Sequence, residues 1–349
     1  MKIIVTGGCG FIGNAVVKTF LKLKNVSLIN LDKLTYASNS SSLNEIKNNK
    51  NYFFERVDIC DRKKLKKIFH KYNPDGVIHL AAETHVDRSI DTSNDFINTN
   101  ILGTHNLLEN SRDHFKKKKK FKFLHVSTDE VYGDLNKKNS GFTEKNKYSP
   151  SSPYSASKAS ADHLVRSWFR TYKLPILISN CSNNYGSYQF PEKFIPHIIL
   201  NALMGKNIPV YGNGLQSRDW LHVYDHAEAL KKIFFRGKIG ETYNVGTGVS
   251  TTNLKLVKLI CNILNEKVKS KPKNVHDFKK LISFVKDRPG HDIKYLINPK
   301  KIKKNLKWKP NKNLNKGIKQ TVEWYLSNEK WWKLILKNNY NLGRLGKHD

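Results

Sequence analysis

Apolar residues in this chain come in short runs separated by stretches with helical spacing. Ile3-Ile4-Val5, Leu28 to Leu31, Val77 to Leu80, Phe123 to Val126 and Ile176 to Ile178 are such runs, bounded by polar, glycine or proline positions. Runs this short read as strands buried on both faces. The pattern predicts strands at Lys2–Val5, Ser27–Asp32, Tyr52–Val57, Gly76–Leu80, Phe123–Val126 and Pro175–Ser179. Between them it predicts helices at Asn14–Leu23, Asp61–Tyr72, about Asp95–Arg112 and from Tyr154 onward. Alternation of this kind predicts an α/β fold, a doubly wound parallel sheet with helices on both faces. Beyond about residue 180 the regularity falls off, and Gln189 to Trp220 is rich in Pro, Gly and aromatics. That change predicts a smaller α/β domain interleaved with the last strands. The expected division is a first domain over 1–182 with later strands returning to it from about 215–250, a second mainly over 183–332, and a tail over 333–349.

Candidate chemistry sits at the predicted strand ends, where open α/β sheets bind their ligands. The first strand runs into Thr6-Gly7-Gly8-Cys9-Gly10-Phe11-Ile12-Gly13, and a helical pattern follows. Glycines at 7, 10 and 13 allow a sharp turn, close approach to a pyrophosphate, and tight helix–strand packing, with the helix N-terminus facing the phosphates. The second strand ends in Asp32, about twenty residues on, where an acid binds both ribose hydroxyls of an adenosine and repels a 2′-phosphate. NAD rather than NADP is the expected cofactor.

The run ending at Val126 leads into Ser127-Thr128-Asp129-Glu130. Adjacent carboxylates beside a hydroxyl supply a general acid and a general base if their surroundings push their pKa values apart; the alternative is a solvated pair at a strand end. Tyr154 and Lys158 lie four apart on a predicted helix and share a face. A neighbouring ammonium lowers a phenol from its usual pKa of about 10, so Lys158 is expected to make Tyr154 a base near neutrality.

Composition narrows the classes. The 349 residues carry a formal charge of +33, but only ten of the 62 cations are Arg, and the lysines lie in scattered runs such as Lys116 to Lys120. Base readout favours Arg forks and single-strand binding wants interleaved aromatics, so no nucleic-acid partner is expected. The positive field favours anionic small molecules. No apolar run approaches the roughly 20 residues of a membrane span, and the opening Met1-Lys2 before Ile3 is too short for a signal-peptide core. Cys9, Cys60, Cys181 and Cys261 form no Cys-x-x-Cys pair, which points to reduced thiols and a cytoplasmic location. His222 and His226, four apart, lack a third ligand, and no metal is expected.

Taken together, Thr6 to Gly13, Asp32 to Ala37, Leu80 to Ile90, Ser127 to Gly133, Ser149 to His163, Cys181 to Lys193, Gln216 to Trp220, Asp287 to Asp292 and Trp324 to Trp332 resemble the extended short-chain dehydrogenase/reductase family, and within it the nucleotide-sugar 4,6-dehydratases. The Thr-Asp-Glu triplet is the discriminating piece. The resemblance implies a Rossmann-type fold and an NAD-dependent hydro-lyase acting on dTDP-glucose, with UDP-glucose as the alternative and a non-catalytic nucleotide- or nucleic-acid-binding protein as the remaining one. It implies catalytic roles for Thr128, Asp129, Glu130, Tyr154 and Lys158. Cofactor contacts are implied for Gly7, Gly10, Phe11, Ile12, Gly13, Asp32, Lys33, Thr35, Asp58, Ile59, Leu80, Ala81, Ala82, Thr99, Tyr154, Lys158 and Asn184. Substrate contacts are implied for Thr84, His85, Thr128, Asn183, Lys193, Phe194, Ile195, Pro196, Pro209, Tyr211, Arg218, Asn253, Arg288 and His291. His85 is open between a substrate contact and a structural hydrogen bond, and Arg218 between the diphosphate and an ion pair with Asp219. A homodimer through the helices of Asp95–Arg112 and Tyr154–Tyr172 is also implied. Cys9, Ser38, Thr84 and Ser187 stand where the family usually has Ala, Gly, Ser and Pro, and Ser38 would matter if its position needs φ > 0.

Overall fold

The computed structural model describes residues 1–135, 141–287, 290–338, 340 and 342–343. Along the chain come β1 (Lys2–Thr6), α1 (Phe11–Leu21), β2 (Ser27–Asp32), β3 (Tyr52–Arg56), α2 (Arg62–Tyr72) and β4 (Gly76–His79). Next are α3 (Val86–Asp91), the short α4 (Asn94–Phe96), a π-helical turn over Ile97–Gly103, α5 (Thr104–Lys117), β5 (Lys122–Thr128), α6 (Pro153–Tyr172) and β6 (Ile176–Cys181). The remainder holds β7 (Asn183–Tyr185), α7 (Phe194–Leu203), β8 (Ile208–Tyr211), β9 (Ser217–His222), α8 (Val223–Arg236), β10 (Thr242–Val245) and β11 (Ser250–Thr252). It continues with α9 (Asn253–Lys267), β12 (Ile282–Val285), α10 (Lys300–Leu306), α11 (Leu314–Ser327) and α12 (Glu329–Asn338).

Seven strands build one sheet in the order β10-β6-β5-β4-β1-β2-β3, every pair parallel. Burial on both faces explains the continuous apolar runs. Ile3 and Val5 face the helices α1 and α8, whereas Ile4 between them joins Leu65, Leu107 and Val165 on the other side, as the two-residue period of a strand requires. Each fully buried aliphatic side chain contributes about 1.5–3 kcal/mol. Strand order reverses between β1 and β4, so a crevice opens outside their carboxyl ends.

A second core gathers Ile195 and Ile199 of α7, Leu256 and Ile260 of α9, and Ile318, Val322 and Tyr325 of α11. Two small sheets accompany it, β11-β9-β7 and β12-β8. The chain after residue 215 therefore divides: β10 pairs with β6 in the large sheet, while β9 pairs with β7 and β11.

The helix expected at Asp95–Arg112 is broken differently. A π turn covers Ile97–Gly103 before the α-helix resumes at Thr104. Its inward residue, Asn100, accepts from the Glu83 amide (2.9 Å) and donates to the Glu83 carbonyl (3.0 Å) and to Ser157 Oγ (2.8 Å). The extra residue in the turn thus ties the β4–α3 loop to α6, a use typical of π turns near sites. The start of α6 is equally fixed. Ser152 and Ser155 form a reciprocal capping box with Pro153 in the first turn, a device worth about 1 kcal/mol that sets where Tyr154 enters the crevice.

Candidate active site

The nucleotide end is shaped by backbone. Gly7 has φ +72°, and a Cβ there would stand 2.8 Å from the Cα of Ala81; one on Gly13 would stand 2.0 Å from the Gly7 carbonyl oxygen. Gly10 begins α1 without a side chain over the helix N-terminus. This cradle, closed to any Cβ and faced by uncapped N–H groups, fits a dinucleotide pyrophosphate. Asp32 is held by three donors: the Cys9 amide (2.9 Å), the Leu34 amide (2.8 Å) and the Ser38 hydroxyl (2.9 Å). In this loop the left-handed residue is Leu34 at φ +60°, and Ser38 is not among the residues with positive φ. Serine in place of the usual glycine therefore adds a donor to Asp32 without strain. Cys9 is buried, its thiol pushed up to about 12 by burial first and then by Asp32.

The chemistry lies one strand pair away. Thr128 ends β5 and its Oγ1 accepts the Glu130 amide (3.2 Å), capping the single turn Asp129–Tyr132. Gly133, at φ +81°, closes that turn so tightly that a Cβ would meet the Ser149 carbonyl oxygen at 2.1 Å. Asp129 is buried, and its Oδ2 has no hydrogen-bond partner. Burial above all, then the charges of Glu130 and Asp219, hold its carboxyl well above the usual range, with Arg218 pulling the other way. These surroundings favour the protonated form of the carboxyl over the charged one.

Tyr154 corrects a sequence expectation. Its phenol is held well above 10 by burial, then by Glu130 and Cys181, and only the Thr128 hydroxyl works to lower it. Lys158 donates instead to the Val126 carbonyl (2.9 Å), and burial weakens its ammonium against the support of Asp162 and Cys181. Desolvation and two carboxylates thus outweigh the neighbouring lysine.

One cleft of about 440 Å³ joins these groups, within the roughly 300–1,000 Å³ of small-molecule sites. Thr128, Asp129, Glu130, Tyr154 and Lys158 all line it. So do the expected cofactor residues Gly7, Gly10, Phe11, Ile12, Gly13, Asp32, Lys33, Thr35, Ile59, Leu80, Ala81, Ala82, Thr99 and Asn184. Of the expected substrate residues, Thr84, His85, Asn183, Lys193, Phe194, Pro209, Tyr211, Arg218, Asn253 and His291 do. Three expected residues lie off its wall. Asp58 accepts the Cys60 amide and stands 3.8 Å from Lys33 Nζ. Ile195 belongs to the second core, and Pro196 is buried in the first turn of α7. Arg288 falls outside the described residues.

Arg218 is prepared for an anion. Its guanidinium donates to the carbonyls of Ser217 (2.9 Å) and Asp292 (2.9 Å) and lies 4.3 Å over the Tyr295 ring. Asp219 accepts instead from the Thr247 and Gly248 amides, at 3.0 and 2.9 Å. At the same end Lys193 Nζ donates to the Thr84 carbonyl (3.1 Å), Tyr211 to Asp87 (3.3 Å), and His291 pairs with Asp287 (2.7 Å). His226 bonds Asn184 (2.9 Å) and burial holds its imidazole down at about 3. Among the described residues no group of three or more His, Cys, Asp or Glu could hold a metal ion.

A family model described as GDP-mannose 4,6 dehydratase matches residues 4–321. A dTDP-glucose 4,6-dehydratase of Neisseria meningitidis serogroup B is 53% identical over 350 residues, 99% of each chain. The chain belongs to the nucleotide-sugar 4,6-dehydratases. An Escherichia coli dTDP-glucose 4,6-dehydratase is likewise 53% identical, over 359 residues and 99% of each chain. Among solved structures, the Bacillus anthracis dTDP-glucose 4,6-dehydratase in complex with NAD superposes with a TM-score of 0.85 at 41% identity, covering 96% of this chain and 99% of that one. DesIV of Streptomyces venezuelae, a dTDP-glucose 4,6-dehydratase with NAD and TYD bound, gives 0.88 at 36% identity over 96% and 100%.

The cleft also has walls made by residues for which the sequence implied no role. Glu192, its side chain buried, accepts from Tyr36 (3.0 Å) and from Arg88 Nε (3.0 Å), with the Arg88 guanidinium 4.1 Å over the Tyr36 ring. Tyr295, Trp220, Cys181, Tyr340 and Gly343 line it too. Tyr340 and Gly343 come from the segment expected to be a tail, held there by the Leu342 carbonyl 3.3 Å from His197 Nε2. The signal that could have pointed to Glu192 is its place in the Cys181 to Lys193 stretch, directly before Lys193.

Proposed function

We propose that the chain is a dTDP-glucose 4,6-dehydratase, converting dTDP-glucose to dTDP-4-keto-6-deoxyglucose and water with NAD retained through the cycle. The observation that carries this reading is the buried Asp129, its pKa held well above the usual range, beside Glu130 and Tyr154 in one cleft, in a chain 53% identical over its length to enzymes of that name. Gly7, Gly10 and Gly13 would hold the pyrophosphate and Asp32 the adenosine ribose. When bound, NAD supplies the hydride acceptor for C4 and the hydride donor for C6, and its oxidised form carries a positive charge that favours the Tyr154 phenolate.

Tyr154 takes the proton of the C4 hydroxyl, and Thr128 hydrogen-bonds the same oxygen. The C4 ketone acidifies the C5 proton, which Glu130 removes. Asp129 gives its proton to the departing C6 hydroxyl, and water leaves. Glu130 returns a proton to C5 as C6 is reduced. Over one turnover Tyr154 gains a proton and Asp129 loses one, so both must be reset before the next. Arg218 and Asn183 hold the diphosphate, and Pro209, Tyr211, Asn253 and His291 surround the base. Arg218 can form forked, charge-assisted hydrogen bonds there.

The protein is read as a cytoplasmic homodimer. Ile97, Leu102 and Tyr172 expose 44%, 51% and 43% of their surface along the π turn and α6, which supports pairing through this face. No helix among the described residues is long and apolar enough to cross a membrane. Purified protein given dTDP-glucose in heavy water should release a 4-keto-6-deoxy product with one solvent deuterium at C5. UDP-glucose should give a lower kcat/KM. Absence of product with every nucleotide-glucose, or a preference for UDP-glucose, overturns the corresponding part of the reading.

A further inference from the structure

Asp292 is a buried carboxylate for which neither the mechanism nor the substrate contacts above have a use. It is 9% exposed and its two oxygens serve different parts of the molecule. Oδ1 accepts the Ser151 hydroxyl at 2.8 Å, and Oδ2 accepts the Tyr295 hydroxyl. Its backbone carbonyl accepts Nη2 of Arg218 at 2.9 Å. Ser151 immediately precedes the capping box of α6, three residues before Tyr154. Tyr295 lies under the Arg218 guanidinium, lines the cleft, and feels the charge of Glu130 more than that of any other residue. The same segment is tied to the loop leaving the Asp129–Tyr132 turn, through the Lys294 amide on Asp134 Oδ1 (2.8 Å) and the Leu135 amide on the Lys294 carbonyl (3.0 Å). Arg218 and Tyr295 come from the part of the chain built around the small sheets, whereas Ser151 and Tyr154 belong to the large-sheet part. Asp292 bonds to both.

We propose that Asp292 is a positioning residue: it fixes the separation between the Arg218 anion seat and the N-terminus of the helix bearing Tyr154, so that a sugar anchored by its diphosphate meets Tyr154 and Glu130 in reacting register. The proposal rests on the dehydratase reading. A misplacement of about 1 Å at a reacting centre can cost on the order of 10²-fold in rate, whereas an anion held by Arg218 loses little if the guanidinium keeps its Tyr295 and carbonyl contacts. Asp292→Asn keeps the size and the backbone carbonyl but can accept only one of the two hydroxyls.

The test uses the holoenzyme with dTDP-glucose as substrate and dTDP as the binding probe. Asp292→Asn should lower kcat by about 10- to 100-fold while the Kd for dTDP moves less than about threefold and bound NAD is unchanged. Ser151→Ala should lower kcat by a smaller factor, and added to Asp292→Ala, which accepts neither hydroxyl, it should cost almost nothing more, because both then break one tie. A fall in Tm with kcat intact would make Asp292 merely structural and overturn the proposal. A loss of dTDP affinity as large as the loss of kcat/KM would make it a support of Arg218 alone, and multiplicative effects of the two substitutions would separate Ser151 from it; either result also overturns it. A wild-type holoenzyme that turns over no nucleotide-glucose removes the dehydratase reading itself, whereas an active wild type with any of the other three outcomes removes only this proposal.

Discussion

Asp32 and Asp129 are both aspartates buried at the carboxyl ends of parallel strands in one sheet, yet their surroundings assign them opposite work. Three donors converge on the two oxygens of Asp32, two of them backbone amides of its own neighbourhood. Asp129 has an oxygen with no partner, faces the charges of Glu130 and Asp219, and has its pKa raised well above the usual range. One site is a finished acceptor waiting for ribose hydroxyls. The other stores a proton in a place where losing it is costly until a leaving group asks for it. Strand-end position decides that a carboxylate faces the ligand, and the donors and charges around it decide what it does there.

The sharpest way to break the comparison is to destroy the finished half. Gly13→Ala would push a methyl to 2.0 Å from the Gly7 carbonyl oxygen. The purified variant should carry no NAD after desalting and show no turnover, while wild type retains the cofactor; a variant with full NAD content contradicts the cradle described above. Breaking the other half should leave the cofactor in place. Asp129→Asn keeps shape but cannot deliver a proton, and a drop in kcat of about 10²-fold or more is expected with NAD content normal. The sign of the pH dependence follows from the direction of the shift. The acid works while protonated, so wild-type kcat falls as pH rises through the elevated pKa of Asp129, and the variant should lose that alkaline limb. An unaltered limb in Asp129→Asn would assign it to another group. A smaller effect comes from Ser38→Gly, which removes one of the three donors to Asp32 (2.9 Å). At about 1 kcal/mol for a hydrogen bond, NAD affinity should fall by about fivefold, with kcat at saturating NAD unchanged; equal affinity would mean that the two backbone amides suffice.

The two halves also differ in how far they can be read from sequence. Gly7, Gly13 and Asp32 are legible because local backbone demands fix both residue type and spacing, and the strands around them are continuous apolar runs. The Thr128-Asp129-Glu130 turn is legible as chemistry, but the state of Tyr154 is not. A helical spacing of four suggests that Lys158 governs it, and the outcome is set by burial and by the carboxylates of the turn after β5. Tyr295 and Tyr340 escape sequence reasoning because each lies beyond the stretches that carry the motifs, and Glu192, though inside one of them, because its role is set by Tyr36 and Arg88 from distant segments. The π turn at Ile97–Gly103 has no local signature either, since its reason is the three bonds made by Asn100 to distant partners.

The most direct measurement is a single turnover of Glu130→Gln holoenzyme with dTDP-glucose, followed by reduced-nicotinamide absorbance and product analysis together. Oxidation at C4 needs Tyr154 and not Glu130, so the reduced cofactor should build up and persist, with no 4-keto-6-deoxy product and no solvent deuterium at C5. Product forming at the wild-type rate, or no reduction of the cofactor at all, would contradict the assignment of separate protons to separate groups.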